Sequence, residues 1–398
     1  MKNADDPIFL SAREAAAELA ISPATLYAYV SRGMVRSEPL PDSRERRYHA
    51  DDIRALKDRR LPSGRNGDAS VPVLDTAICT LTERGPIYRG ALAIKLAEQA
   101  TLEQTATLLW AANGPDPFAS SNMPVLSPPM LRILDAMASE GGMARAVAVL
   151  ALASDADPRA FNRSEQRRWE IGARVMRLTT AAILGAKPSA APVHEQVADA
   201  WAPGDKRAKD WLRRSLVLMA DHELNASTYT ARCAASTGLN LYDATVAGLV
   251  ALKGPKHGGA GPQAAHLVAS LAEGDLAAKV RERVALGDRI PGFGHSVYKD
   301  GDPRADALLR VLIKGGASRR LAQDAPALIT EAIGLRPNAD FALAVMMREL
   351  GLPIGHEIFL FAIARTAGWV AHAIEQLESG VLIRPRARYV GAMPGRGG

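Results

Sequence analysis

Apolar positions in the first sixty residues fall in short helical runs separated by capping signals. Ser11 followed by Glu14 is a capping box, in which each side chain satisfies a free backbone donor, and it predicts a helix over 12–19. Ser22 can cap the next helix and Pro23 suits its first turn, so a second helix is expected over Pro23–Arg32, stopped by Gly33. Arg44, Arg46, Arg47 and Tyr48 lie in a stretch long enough for a small hairpin, and a third helix is expected over Asp52–Arg60. Two short helices joined by a tight turn make a helix-turn-helix. Residues 61–71, LPSGRNGDASV, hold almost no apolar residue and read as a linker. More than 300 residues of helical pattern follow, without internal repeat. Their most apolar late stretch, EIFLFAIARTAGWVAHAIEQ, contains Glu357, Arg365, His372 and Glu375 and is not expected to span a membrane.

Composition narrows this to a mainly α protein. The chain of 398 residues is 47% hydrophobic, 23% charged and 5% aromatic, dense in Ala, Leu and Arg. Such a mixture excludes disordered and collagen-like chains and argues against a β-sandwich or barrel. The net charge of +6 permits an anionic ligand or nucleic acid without demanding one. Cys79 and Cys233 are far apart and lack metal-ligand spacing, so both are expected as buried thiols in a reducing compartment. The start, MKNADDPIFL, carries acids where a secretory signal needs a basic and then apolar stretch. A soluble cytoplasmic protein is the expectation.

Three segments concentrate the chemistry. Met219–Thr228 reads MADHELNAST and sets His222 among polar residues; Lys253–Ala260 reads KGPKHGGA and sets His257 between a proline turn and paired glycines. Ile290–Arg304 reads IPGFGHSVYKDGDPR and holds His295 and Arg304. Further on lie Asp340, in Asn-Ala-Asp-Phe, and Arg384, Arg386 and Arg388. One carboxylate with two imidazoles is the minimum set for removing a carbon-bound proton, holding the enol and protonating an electrophile. Arginine forks suit a substrate with several carboxylates. Taken singly, each has a plainer reading: a hydrogen-bonded histidine in a turn, Asp340 as a helix cap, Phe341 as core, the late arginines as a solvated tail. No metal-binding spacing is evident.

Together and in this order, ADHELNAST, GPKHGGA, PGFGHSVYKDGDPRAD, NADF, GWVAHAIEQ and RPRARYVG resemble blocks of the citrate synthase family, over about Val71–Gly391. LDTAICTLTERGPIYRGALAIKLAEQ is similar to the family's opening, a short β-ribbon before the first long helices. The resemblance implies a citrate synthase fold with a large domain, 71–257 and 351–398, and a small one, 258–350. It implies a homodimer or higher assembly that condenses acetyl-CoA with oxaloacetate and water, giving citrate and free CoA without a cofactor. Carried over, Asp340 is the base, His257 holds the enol oxygen and His295 donates to the oxaloacetate carbonyl. His222, Arg304 and Arg384 bind oxaloacetate; Lys299, Arg289, Gly292 and Gly294 correspond to positions that contact CoA. Ser296, Gly261 and Lys256 depart from the pattern, standing where the family often has Arg, Asn and an apolar residue. The chain ends soon after RPRARYVG, whereas members usually continue with an arginine that enters the partner's site.

Residues 1–62, joined by a linker at 63–70, resemble the winged helix-turn-helix of the MerR and excisionase group, through LSAREAAAELAISPATLYAYVSRGMV, the wing RERRY and HADDIRALKDRR. That implies DNA as a partner, met by Thr25, Tyr27 and Arg32 in the major groove and by Arg46 and Arg47 on phosphates. An adaptor for protein contacts is the other reading, favoured by 12 basic against 11 acidic side chains in residues 1–70. Three functions therefore stand: a citrate synthase, a 2-methylcitrate synthase using propionyl-CoA, and a metabolite-sensing DNA-binding regulator.

Overall fold

The computed structural model describes residues 9–386 except 20, 32, 41–45, 51, 54, 55, 57–73, 286 and 288, and the side chains of 17, 18, 23 and 24. The chain divides into two units, Met1–Asp75 and Thr76–Gly398.

In the first unit, strands β1 (Phe9–Ser11), β2 (Ser37–Pro39) and β3 (Arg46–His49) form an antiparallel sheet in the order β1-β3-β2, with Leu10 opposite Tyr48 and Glu38 opposite Arg47. Helices Ala12–Glu18 and Pro23–Ser31 pack on each other. The capping box forms as its spacing requires: Ser11 N–H donates to Glu14 Oε2 at 2.8 Å and Glu14 N–H to Ser11 Oγ at 3.2 Å. The second helix is described over Pro23–Ser31, and Gly33 beyond it has φ +69°. Leu19, Leu26, Val35, Tyr48 and Ile53 make the small core. Asp52, Ile53 and Leu56 are helical, and the rest of the expected third helix lies outside the described residues, as do Arg32, Arg44 and the linker.

The second unit opens with a ribbon of β4 (Cys79–Thr82), β5 (Gly85–Tyr88) and β6 (Ala91–Leu92), paired in that order, and is helical thereafter. Its axis is the helix His356–Ser379, which touches Leu102–Leu109, Glu165–Leu184, Ala208–Met219, Ala226–Ala235 and Leu241–Leu252. That helix is long and apolar enough to cross a membrane, but 83% of its most apolar window is buried by its neighbours. Its position is that of a core helix, with Trp369 fully buried. A second group forms around Ala339–Glu349, flanked by Ala260–Leu271 and Pro303–Lys314. Cys79 is buried, whereas Cys233, expected to be so, is only partly covered; both are free thiols.

Close helix contact depends on glycine at a few places. Gly248 on Leu241–Leu252 faces Trp369 so tightly that an added Cβ would lie 2.8 Å from the indole. Alanine there gains up to about 1 kcal/mol of helix propensity, whereas overpacking costs about 1–3 kcal/mol. Gly248→Ala is therefore expected to lower stability in urea unfolding of the full chain; a gain would mean that the two helices are not so closely packed.

Candidate active site

Six chain segments meet at a cavity of about 330 Å³, lined among others by His222, His257, His295, Arg304, Asp340 and Arg365. Helix termini bring most of these side chains there. Ala208–Met219 ends just before Asp221-His222, and Glu223 beside them adopts φ +56°, a left-handed conformation that L side chains rarely take. Asn338 caps Ala339–Glu349, its Oδ1 accepting the Asp340 N–H at 3.0 Å. Its Nδ2 donates to Gly294 O at 2.9 Å, tying the helix start to the loop that carries His295. The cap is Asn338, so the plainer reading of Asp340 as the helix cap does not hold. Phe341, as expected, is fully buried.

Loop 290–297 turns sharply at Gly292 and Gly294, at φ +79° and +77°. A Cβ on Gly292 would sit 2.8 Å from that of Phe341. Both glycines therefore serve loop shape. Neither lines the cavity, and Lys299 and Arg289 are exposed outside it.

Hydrogen bonds set the form of the imidazoles. His295 Nδ1 accepts the N–H groups of Val297 (3.0 Å) and Tyr298 (3.3 Å), which leaves the proton on Nε2. Burial, reinforced by the Arg304 charge, holds its pKa below the usual range, so it is a neutral donor. His222 Nε2 lies 3.1 Å from the Tyr298 hydroxyl, and its ring meets that of His295 edge-on at 5.3 Å. Burial and the charges of Arg304 and Arg365 drive its pKa far down. His257 Nε2 lies 2.8 Å from Ser227 Oγ, which also accepts from Trp369 Nε1 at 3.2 Å. Burial, then Arg365, pushes the His257 pKa down to about 4.

The charged groups are placed as firmly. Arg304 is buried and forked onto Asp302, Nε to Oδ1 at 3.0 Å and Nη2 to Oδ2 at 2.8 Å. Asp302 Oδ2 also accepts the Ala339 N–H at 3.0 Å, so one carboxylate holds both the arginine and the Asp340 helix. Burial raises the Asp340 pKa to about 6, with Arg304 opposing and Asp302 adding to the rise. Arg365 donates from Nε to Met219 O at 2.9 Å and lies over the Phe361 ring. Its Nη1 is buried without a hydrogen-bond partner among the described residues.

The structure thus brings together five of the six residues expected to hold or transform substrate. Arg384 is exposed, beyond the end of His356–Ser379, and does not line the cavity. Lys256 is also exposed and outside it, whereas Ser296 lines it. Arg365, Asp302, Ser227 and Glu357 were not singled out from the sequence as site residues; for Arg365 and Glu357 the signal was a charge within an apolar run. In the first unit, Arg46 is bonded to Ser37, while Arg47 pairs with Glu38 and stacks on Phe9 at 4.0 Å. Thr25 shares a hydrogen bond with Ser22, and Tyr27 is 54% exposed. No metal-binding cluster of His, Cys, Asp and Glu occurs among the described residues.

Comparison with known proteins agrees with this geometry. Citrate synthase 2 of Bacillus subtilis is 40% identical over 187 residues, 45% of this chain and 50% of its own length. The 2-methylcitrate synthase 1 of Corynebacterium glutamicum is 36% identical over 185 residues, 45% of this chain and 49% of its own. These alignments span about half the length of the curated relatives. The crystal structure of citrate synthase from Thermotoga maritima covers 81% of this chain and 95% of its own, at 28% identity and a TM-score of 0.67. That of Thermoplasma acidophilum citrate synthase, a ternary complex with carboxymethyl coenzyme A and oxaloacetate, covers 82% of this chain and 96% of its own at 25% identity and a TM-score of 0.68. A family model described as citrate synthase, C-terminal domain, matches residues 67–386, and with that match over most of its length the chain belongs to the citrate synthase family.

Proposed function

We propose that the protein condenses acetyl-CoA with oxaloacetate and water to give citrate and CoA. The observation that carries this reading is the convergence of the Asp340 carboxyl, three imidazoles held below their usual pKa and two buried guanidiniums on a single cavity. Asp340 takes a methyl proton from the thioester. His257 donates to the developing enol oxygen from Nδ1, the Ser227 hydroxyl then giving its one proton to Nε2 at 2.8 Å in place of Asn225 Oδ1 at 3.0 Å. His295 donates from Nε2 to the oxaloacetate carbonyl as the carbon–carbon bond forms, and water then releases CoA as a thiol. A weakly acidic thioester needs such donors, preorganised where charge develops. Arg304 and Arg365 take the oxaloacetate carboxylates, with Arg365 Nη1 lacking a partner among the described residues, and His222 assists. Arg384 is assigned here to the site of a partner subunit, since in its own chain it lies outside the cavity. CoA is a substrate, and no cofactor enters.

The proposed dimer is supported by an apolar outer face on two packed helices, carrying Val147, Ala148 and Ala151 on one and Val246, Ala247 and Val250 on the other. Packing of the helices between 260 and 349 around Ala339–Glu349 supports a small domain at 258–350, with 71–257 and 351–398 as the large one. Propionyl-CoA as donor, giving 2-methylcitrate, is the second reading, favoured by relatives of that name at identities similar to those of the citrate synthases. Residues 1–62 are read as a winged helix-turn-helix on the strength of their helix pair and three-stranded sheet. DNA contact is less well supported there, because the Arg46 and Arg47 guanidiniums are already engaged.

Thiol release from acetyl-CoA and from propionyl-CoA in the presence of oxaloacetate tests the reaction. Asp340→Asn should lower kcat at least about 10²-fold with the fold retained; wild type inactive with both donors would overturn the reading. Because Asp340 must be ionised to accept a proton and its pKa is raised to about 6, kcat should fall as pH drops through about 6. A plateau extending to pH 4.5 would show that another group is the base. Arg365→Gln should raise KM for oxaloacetate about 10²-fold, with a smaller change in KM for the thioester; equal effects on both would place Arg365 outside the oxaloacetate subsite.

A further inference from the structure

Besides Asp340 and the exposed Glu223, the cavity is lined by a buried carboxyl that the condensation does not use. Glu357, in the first turn of His356–Ser379, lines it and is only 2% exposed. Its Oε2 accepts the Gly355 N–H at 2.8 Å, and its own N–H is the other donor to it. No ion pair to it forms among the described residues, and burial raises its pKa. The wall around it is apolar: Leu252, Leu343, Ile358 and Phe361 line the same cavity.

Its neighbours fix which end of the cavity it serves. A Cβ added to Gly261 would lie 3.2 Å from Glu357 Cβ, and one on Gly258 would lie 2.6 Å from Ile358 Cδ1. Glu357 therefore abuts the turn that carries His257, and it is close enough to Asp340 to feel its charge. This is the end where the acyl group is activated. Arg304 and Asp302 anchor the other end, beside Tyr298 and His295. A carboxyl that only capped its helix would do so equally well in solvent. Facing a plain methyl or ethyl tail, this one would be enclosed with two backbone N–H groups as donors and only the charge of His266 to favour it, a costly arrangement.

We propose that Glu357 determines acyl-donor specificity, accepting a hydrogen bond from a hydroxyl on the acyl tail, so that the site favours hydroxyacyl-CoA thioesters over their alkyl counterparts. This inference rests on the condensation reading for its location. A site built to hydrogen-bond a substrate hydroxyl discriminates strongly against the analogue that lacks it. The reaction balances as before: one α-proton leaves to Asp340, one carbon–carbon bond forms, and water cleaves the thioester to a carboxylate and a thiol.

The test compares glycolyl-CoA with propionyl-CoA, and 3-hydroxypropionyl-CoA with butyryl-CoA, pairs in which a hydroxyl replaces a methyl. Calorimetric binding to the oxaloacetate-loaded full chain reads the preference without requiring turnover. Wild type should bind at least one hydroxylated thioester roughly 10- to 100-fold more tightly than its partner. Glu357→Gln, which keeps an acceptor and the Gly355 contact, should retain part of that preference, and Glu357→Leu should abolish or reverse it. A wild type that favours the alkyl member of both pairs, or that binds none of the four, overturns the proposal, as does the same preference in wild type and Glu357→Leu. Thermal melting identifies a variant that fails to fold, in which case the wild-type ratio and Glu357→Gln decide. Hydroxyl-dependent binding without thiol release from any thioester would sink the condensation and leave the pocket assignment standing.

Discussion

The buried pair of Asp302 and Arg304 holds the site in register. Burial disfavours both charges, yet the fork between them keeps the carboxyl below its usual pKa and the guanidinium above. Removing one partner of such a pair costs about 3–5 kcal/mol, because the other charge is left uncompensated. Here the loss would also be geometric. The same carboxylate caps the helix Pro303–Lys314 and accepts from Ala339 at the start of the next site helix. A single ionised group therefore sets the positions of Arg304 and Asp340 relative to each other.

Around that anchor, burial sorts the titratable groups by sign. Enclosure raises the Asp340 pKa to about 6 and lowers those of all three imidazoles, so near pH 7 the carboxylate is the one charge that these four groups carry. The positive charge comes from guanidiniums, which keep it even when enclosed. The cavity is thereby suited to receive an anion at one end and an uncharged carbonyl at the other.

Much of this was legible in the sequence because short-range rules governed it. The Ser11–Glu14 cap, the Gly33 stop and the glycines of the His295 loop are local consequences of backbone chemistry, and the ordered blocks from ADHELNAST to NADF carried the family. What escaped was long-range. Asp302 lies two residues from Arg304, but nothing local shows that it also reaches Ala339. Arg365 and Glu357 sat in an apolar stretch where their charge argued against a membrane span, and only the packing of that helix beside the cavity gives them a role. Arg384 lies outside the cavity of its own chain, since a motif records which residues recur and not where each comes to lie.

The indole of Trp369 joins two parts of the protein usually considered separately. It is wedged against Gly248 in the interior, while its nitrogen donates to the serine oxygen that meets His257. Interior fit and imidazole orientation consequently share one rigid ring. A change in how the two helices seat would therefore act on that ring and on the Ser227–His257 contact together, so this patch of oily interior answers to the site as well as to folding.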